Sequence, residues 1–308
     1  MAWMKKTTAI LTILDFQATF NRPTLLVITG PTAVGKTELT IRLAQQHHAP
    51  IVSADSRQFY REMKIGTACP SDEELRLADH YFIGTLSIHD YYSVSKYEQD
   101  VLQLLPQLFA QGNLVIMTGG SGLYIDAVCK GIDPMPDPDP DIRKQVNELF
   151  KREGIEALRR QLRILDPDFC RTTDMANHKR LIRALEVFLQ TGRPFSQQLG
   201  GEAKERDFDI IKYCLVRPRE ELFARINRRV DVMMDHGLLD EAKSLYPYKH
   251  LNALNTVGYK ELFDYFDGKL SLEQAVEDIK THTRRYAKRQ MTWFNRDGGY
   301  TFCELKEE

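Results

Sequence analysis

The sequence predicts an α/β protein, a P-loop parallel-sheet core with a helical insertion domain and a helical C-terminal part. Three observations carry that prediction. An apolar, β-branched run at residues 25–29 breaks into a glycine-rich turn and then a helix-compatible segment at 38–47. Further short apolar runs at 51–54, 114–118 and 210–216 follow helical stretches, the order of right-handed crossovers between parallel strands. Between residues 133 and 205 strand signals vanish and only helical periodicity remains.

The first strand ends in Gly30-Pro31-Thr32-Ala33-Val34-Gly35-Lys36-Thr37, which satisfies G-x-x-x-x-G-K-[ST] between a strand and a helix, the setting the motif requires. The glycines let backbone N–H groups turn inward around a phosphate, and the helix N-terminus adds its positive end. Lys36 supplies a point charge, and the Thr37 hydroxyl can ligate Mg²⁺. The site holds a di- or triphosphate, and the motif leaves open whether that belongs to ATP, GTP or another molecule. A chance glycine-rich turn has no need of the strand before it or the helix after it.

Ligands of parallel sheets collect at the carboxyl ends of strands, and here each end is chemically marked. The second strand runs into Asp55-Ser56-Arg57-Gln58. The third, entered after a helical stretch at 95–111, runs into Gly119-Gly120-Ser121-Gly122. The fourth ends at Arg217-Pro218 and opens a helix carrying Arg225, Arg228 and Arg229. On the residues alone, Asp55 is equally a helix cap or a partner of a bound metal, the glycine turn a plain connection, and Arg225 a surface cation.

Composition changes at Asp133. The run of alternating Asp and Pro through Pro140 excludes helix and central strand, because each proline removes a donor and restricts its predecessor, and it reads as a hinge. Helical patterns follow at 141–152, 155–165 and 177–190, the last stopped by Gly192 and Pro194. We therefore expect an N-terminal extension at 1–22, a core at 23–132 and 206–308, and an insertion at 133–205. Ser271-Leu272-Glu273-Gln274 has the pattern of a capping box opening a long final helix. From Lys280 to Arg296 that helix holds basic residues interleaved with Tyr286 and Trp293 and no acid, which suits a phosphate backbone and stacked bases as well as a solvated basic face. The cluster His178-Lys179-Arg180 with Arg183 is similar.

With 308 residues and a net charge of −1, the chain can bury a large core and has no overall field to steer nucleic acid, so any such role rests on local clusters. Its five cysteines are scattered, with no C-x-x-C pair, as expected of reduced thiols in a cytoplasmic protein. Lys5-Lys6 followed by an apolar run mimics a short signal peptide, but Asp15 breaks the run and no small-residue cleavage site follows. No stretch approaches the roughly 20 apolar residues of a membrane span.

The ordered motifs GPTAVGKT (30–37), SADSRQFYREMKIGTA (53–68), YSVSKYEQD (92–100), GGSGLY (119–124), NHKRLIRALEV (177–187), ARINRRVDVMMDHGLLDEA (224–242), VGYKEL (257–262) and TRRYAKRQMTWF (283–294) together resemble the tRNA dimethylallyltransferases. The resemblance runs from residue 24 to about 297. It implies transfer of a dimethylallyl group from dimethylallyl diphosphate to N6 of adenosine 37 of tRNA, with the P-loop, residues Gly30 to Thr37, holding the diphosphate as a leaving group. By analogy Lys36, Thr37 with Mg²⁺, and Arg225 stabilise the departing pyrophosphate, and Asp55 is the general base for the N6 amine. Ser121 stands where the family usually has threonine and keeps the hydroxyl. Cys69 stands where the family commonly has lysine. Contacts to the tRNA anticodon stem-loop map onto Asp55, Ser56, Arg57, Gln58 and Ser121, onto Lys179, Arg180, Leu181, Ile182 and Arg183, and onto Gly258, Tyr259 and Lys260. Arg143, just past the hinge, is a further contact or an ordinary surface arginine. Eukaryotic members carry a C-terminal zinc finger that this sequence lacks, as expected of the bacterial type, and a monomer is expected.

Two other classes share parts of the pattern. A small-molecule kinase explains the P-loop and uses Asp55 as base for an acceptor hydroxyl, but leaves the basic aromatic helix unexplained. A non-catalytic RNA-binding ATPase explains the basic helices but leaves Asp55 idle, and the third strand ends in Thr118-Gly119-Gly120 where such an ATPase has an acidic pair.

Overall fold

The computed structural model describes residues 8–10, 20–200 and 203–305. Its described residues form two compact units, Lys130–Glu205 and the chain on either side of it. The larger unit is built on a seven-stranded parallel sheet. The strands are β1 Thr8–Ile10, β2 Thr24–Thr29, β3 Ile51–Ser53, β4 His80–Tyr81, β5 Leu114–Gly119, β6 Asp209–Val216 and β7 Thr301–Glu304, in the order β1-β7-β6-β2-β5-β3-β4. β2 lies between β5 and β6, and every one of its residues is buried, as a central parallel strand covered on both faces must be.

Side chains alternate across the sheet. Leu25 and Val27 of β2 face one core, packed with Tyr97, Val101 and Leu105 of α3 (Val94–Phe109) and Ile125 of α4 (Gly122–Lys130). Leu26 and Ile28 face the other, with Leu39 and Leu43 of α1 (Lys36–His47) and Leu222 and Ile226 of α9 (Arg219–Asp235). Truncating one such leucine to alanine costs about 2–5 kcal/mol. A third cluster joins α10 (Leu238–Leu245), α11 (Tyr259–Phe266) and the first turns of α12 (Leu272–Arg296) to Tyr60 and Met63. A short helix, α2 (Asp72–Arg76), is closed by the capping box of Ser71 and Glu74.

Connections leave β2 on both sides: the chain passes to β3 beyond β5, and later returns to β2's other edge as β6. The carboxyl end of β2 is thus a switch point of the sheet, where a crevice opens.

The smaller unit packs α5 (Pro140–Glu153), α6 (Ile155–Leu165), α7 (Pro167–Thr172) and α8 (His178–Thr191) around Val146, Leu158, Leu162, Phe169, Leu181 and Leu185. Pro140 itself opens α5, where its missing N–H is harmless, with Asp139 Oδ1 accepting from Asp141 N–H (2.9 Å) and Ile142 N–H (3.0 Å), so the hinge ends one residue sooner than expected.

Three features correct the reading of the sequence. Residues 8–10, expected in an N-terminal extension, pair with β7 as the edge strand; the rest of that stretch up to residue 19 lies outside the described residues. β4 and β7, of two and four residues, are too short for periodicity to mark. At Ser271 half of the expected capping box forms: its Oγ accepts from Gln274 N–H (3.2 Å), while the Gln274 amide donates to Asp278 (2.9 Å).

Candidate active site

The turn after β2 is forced by close approach. A Cβ on Gly30, whose φ is +145°, would meet the Leu215 carbonyl oxygen at 2.5 Å. Gly35 (φ +112°) closes the turn and starts α1, so the first N–H groups of that helix and the Lys36 ammonium converge on the crevice. Lys36 Nζ donates to the carbonyls of Gly30 and Pro31, each at 3.0 Å. Burial, aided by the nearby Arg229 guanidinium and opposed by Asp55, lowers the Lys36 pKa to about 8.

From outside, α9 and the residue leading into it grip the same loop. Arg217 Nε donates to the Val34 carbonyl (2.8 Å), Arg225 Nε to the Ala33 carbonyl (3.0 Å) and Arg229 Nη1 to Thr32 Oγ1 (3.1 Å). Arg225 therefore spends one donor on the loop while its side chain lines the crevice. Burial lowers the pKa of Arg229 as well, against the opposing pull of Asp55, so the crevice concentrates positive charge that an anionic ligand would relieve.

The opposite wall comes from β3 and β5. Asp55 Oδ1 accepts from Arg57 N–H (3.0 Å), an Asx-type turn that fixes the carboxylate at the rim. Ser121 Oγ accepts from Ser56 N–H (3.0 Å) and donates to Ser56 Oγ (3.1 Å), so the two strand ends are latched together beside Asp55. Arg57 Nη1 donates to the carbonyls of Asn252 (3.1 Å) and Ala253 (3.0 Å), and Gln58 Nε2 to those of Thr67 (3.2 Å) and Ala68 (3.0 Å). These two side chains hold the wall in shape.

The glycines of the 119–122 turn serve close packing. Cβ atoms would meet Ala54 backbone at 2.4 Å from Gly119, Gln290 Nε2 at 2.1 Å from Gly120 and Trp293 Cδ1 at 2.2 Å from Gly122. α12 lies against this turn through Tyr286, Gln290 and Trp293, spaced four and three residues apart on one helical face. Tyr286 shares a hydrogen bond with Ser121, and its hydroxyl stays protonated far above the usual tyrosine range, chiefly because it is buried. Together these walls enclose about 440 Å³, lined among others by Lys36, Thr37, Asp55, Gln58, Thr67, Arg225, Arg228, Arg229, Tyr286 and Gln290.

No group of three or more His, Cys, Asp or Glu side chains suited to a metal occurs among the described residues. Thr37, at the start of α1 and on the lining of the crevice, offers a hydroxyl suited to a divalent cation that takes most of its other ligands from substrate oxygens and water.

Of the residues expected to contact RNA, Lys179 and Arg180 are exposed on the first turn of α8, and Lys260 is exposed on α11. Ile182 is half-buried and Gly258 buried. Two expectations need correction. Leu181 is fully buried in the core of the smaller unit, and Tyr259 is fully buried with its hydroxyl donating to Glu241 Oε1 (2.7 Å), so neither side chain can touch RNA. Arg143 and Arg183 are engaged within their unit: Arg143 forks onto Glu186 at 2.7 and 2.9 Å, and Arg183 Nη2 donates to the Pro136 carbonyl at 2.5 Å. The sequence marks Arg217, Arg228 and Arg229 at a strand end and Tyr286 in the basic helix without assigning them to the site, and it gives no role to Thr67 or Gln290. Arg229, one turn beyond Arg225, and the shared face of Tyr286, Gln290 and Trp293 were the available signals.

The description "IPP transferase" matches residues 58–297. A protein of Bacteroides thetaiotaomicron named tRNA dimethylallyltransferase 1 is 53% identical over 275 residues, 89% of each chain. The tRNA dimethylallyltransferase of Christiangramia forsetii is 50% identical over 283 residues, 92% of this chain and 94% of that protein. Among solved structures, the full-length tRNA isopentenylpyrophosphate transferase of Bacillus halodurans superposes with a TM-score of 0.67 at 35% identity, covering 92% of this chain and 90% of that one. A eukaryotic dimethylallyltransferase acting on tRNA gives a TM-score of 0.74 at 25% identity, covering 91% of this chain and 73% of that one. On the extent of these matches and the crevice described above, the chain belongs to the IPP transferase family, that of the tRNA dimethylallyltransferases.

Proposed function

We propose that this chain transfers the dimethylallyl group of dimethylallyl diphosphate to N6 of adenosine 37 in the anticodon loop of tRNA, releasing pyrophosphate. The observation that carries the reading is the pairing, in one crevice, of a P-loop ringed by Lys36, Arg225, Arg228 and Arg229 with the Asp55 carboxylate on the facing wall. The cations suit a diphosphate that leaves; the carboxylate suits a nucleophile that must lose a proton. As the N6 lone pair forms a bond to the allylic carbon, the carbon–oxygen bond breaks and its electrons leave on pyrophosphate. Lys36 and the N–H groups of the P-loop and α1 receive that charge without reorganising. Asp55 takes the N6 proton, its other demands limited to the Arg57 N–H. Mg²⁺ held by Thr37 and diphosphate oxygens would add charge neutralisation at the leaving group.

The adenosine reaches this crevice unstacked from its loop, which costs a few kcal/mol and is offset by contacts in the pocket. Arg57, Gln58, Ser56 and Ser121 line or brace the wall on that side. For the stem-loop backbone we assign Lys179, Arg180 and Lys260, with Arg285 and Arg289 of α12, all exposed cations. We place the protein in the cytoplasm as a monomer; no described helix is long and apolar enough to cross a membrane.

The test is mass spectrometry of unmodified tRNA incubated with the protein, Mg²⁺ and either dimethylallyl diphosphate or ATP. The expected result is a prenyl-sized mass gain on an anticodon-loop fragment with the allylic diphosphate alone. Unchanged RNA with consumption of ATP would make the P-loop a nucleotide site.

A further inference from the structure

Gln290 occupies an unusual place for a polar side chain. It sits near the end of α12, is 5% exposed, and both ends of its amide are used. Its Oε1 accepts from Thr32 N–H at 2.9 Å, inside the P-loop, and its Nε2 donates to the Gly120 carbonyl at 2.9 Å, next to Ser121. One planar group thus joins the loop that cradles the leaving group to the turn whose Ser121 is latched to Ser56 and so to the wall carrying Asp55. Sheet hydrogen bonds join the strands beneath, but at the rim this amide spans the two loops directly. The turn is shaped to admit it: a Cβ on Gly120 would meet Nε2 at 2.1 Å. Trp293, three residues on, fills the space a side chain at Gly122 would need, and its Nε1 donates to Asp126 Oδ2 at 2.9 Å. Tyr286, four residues before, reaches Ser121 itself.

We infer that Gln290 is a positioning residue that sets the separation between the diphosphate cradle and the proton-accepting wall, and thereby the distance of the N6 nucleophile from the allylic carbon. The inference rests on the prenyl-transfer reading above. Such a role acts on the geometry of attack more than on either binding step, because Lys36 and Arg225 are held by the carbonyls of Gly30, Pro31 and Ala33, and only Arg229 shares Thr32 with this amide. Displacements of about 1 Å in attack geometry cost on the order of 100-fold in rate.

The experiment is a double-mutant cycle between Gln290→Leu and Gly120→Ala, read as single-turnover prenyl transfer with saturating dimethylallyl diphosphate and tRNA. Equilibrium binding of inorganic pyrophosphate and of tRNA, and the thermal midpoint, are measured alongside. Gln290→Leu removes both amide hydrogen bonds; Gly120→Ala pushes the amide away by its methyl group. Each is expected to slow the chemical step by about 10- to 100-fold while pyrophosphate and tRNA dissociation constants stay within about threefold. The double variant is expected to be no slower than the slower single variant, because both act through one amide. Gln290→Glu keeps an acceptor for Thr32 N–H but sets a buried carboxylate oxygen against the Gly120 carbonyl, and is expected to slow the chemical step at least as much as Gln290→Leu. Multiplying losses in the double variant, a Gln290→Leu chemical step equal to wild type, or a loss confined to pyrophosphate binding would each overturn the inference. Should Gln290→Leu fold too poorly to assay, Gly120→Ala and Gln290→Glu carry the same comparison. A wild-type protein that transfers no prenyl group would defeat the proposed function instead, and is read in the same assay before any variant.

Discussion

At the scale of single residues, the crevice sets Asp55 and Lys36 to opposite tasks. Asp55 accepts one backbone N–H, from Arg57, and faces the cavity with the rest of its carboxylate. Asp55→Ala is expected to leave tRNA binding near wild type and to slow turnover by about 10² to 10⁴; a collapse of tRNA binding, measured by filter retention, would instead make Asp55 an RNA anchor. Lys36 has a pKa lowered to about 8 because burial and Arg229 disfavour its charge. A diphosphate favours the ammonium, so the bound-state pKa lies above that of the free site, and binding draws in a proton wherever free Lys36 is partly neutral. Uptake attributable to Lys36 is expected to be substantial at pH 8.5, above the free-site pKa, and small at pH 6.5, well below it. Calorimetry of pyrophosphate binding in two buffers of different ionisation enthalpy reads this difference. Comparison with Lys36→Met removes the protons contributed by pyrophosphate itself, and equal uptake in the two proteins would show that Lys36 is charged before the ligand arrives.

Among the elements, what was legible depended on how far apart in sequence the partners lie. The P-loop, the strand ending at Asp55 and the helices α1, α3, α5, α6, α8 and α12 are local patterns, and apolar spacing with Gly and Pro punctuation places their ends within a few residues. The grip on the P-loop is not local. Gln290 reaches Thr32 across 258 residues, and Arg217, Arg225 and Arg229 reach it across 183, 192 and 197, separations at which one sequence carries no pairing signal. The glycines at 119, 120 and 122 read as a turn because their reason, the approach of α12 and of Ala54, lies outside the segment. The same limit explains Arg143 and Arg183 in the smaller unit, where a basic motif gives no warning of Glu186, fully buried between them. Because this carboxylate has lost its water, breaking the cluster is costly. Glu186→Ala is expected to destabilise that unit by about 2–3 kcal/mol, less than for a fully enclosed pair because Arg143 is 44% exposed. Urea unfolding followed by tryptophan-independent far-UV circular dichroism checks it. An unchanged midpoint with weaker tRNA binding would mean that the arginines serve RNA first.

For the whole molecule, a net charge of −1 leaves no long-range attraction for a polyanion, so RNA affinity must come from the arrangement of cations. On α12 the first turns are spent on Glu273, Glu277 and Asp278, and Lys280 is taken by Asp231 and Glu277. Beyond them Arg285 and Arg289 stand exposed on the stripe beside the one that carries Tyr286 and Gln290 to the crevice, and Arg289 lies over the Tyr286 ring at 5.7 Å. One helix therefore offers cations to solvent and an amide to the active site, which ties backbone recognition to the place where the base must arrive. Each phosphate contact releases counterions, so replacing Arg285 and Arg289 together by alanine is expected to reduce the slope of log K against log salt by about 1.5 and to weaken tRNA binding most at low salt. Pyrophosphate binding, which depends on the P-loop cations, is expected to stay unchanged in the same variant. The measurement is tRNA affinity at four or more salt concentrations. A slope equal to that of the unaltered protein would remove this helix from the RNA interface and leave α8 and Lys260 to carry it, while a loss of pyrophosphate binding would mean that these arginines also shape the crevice.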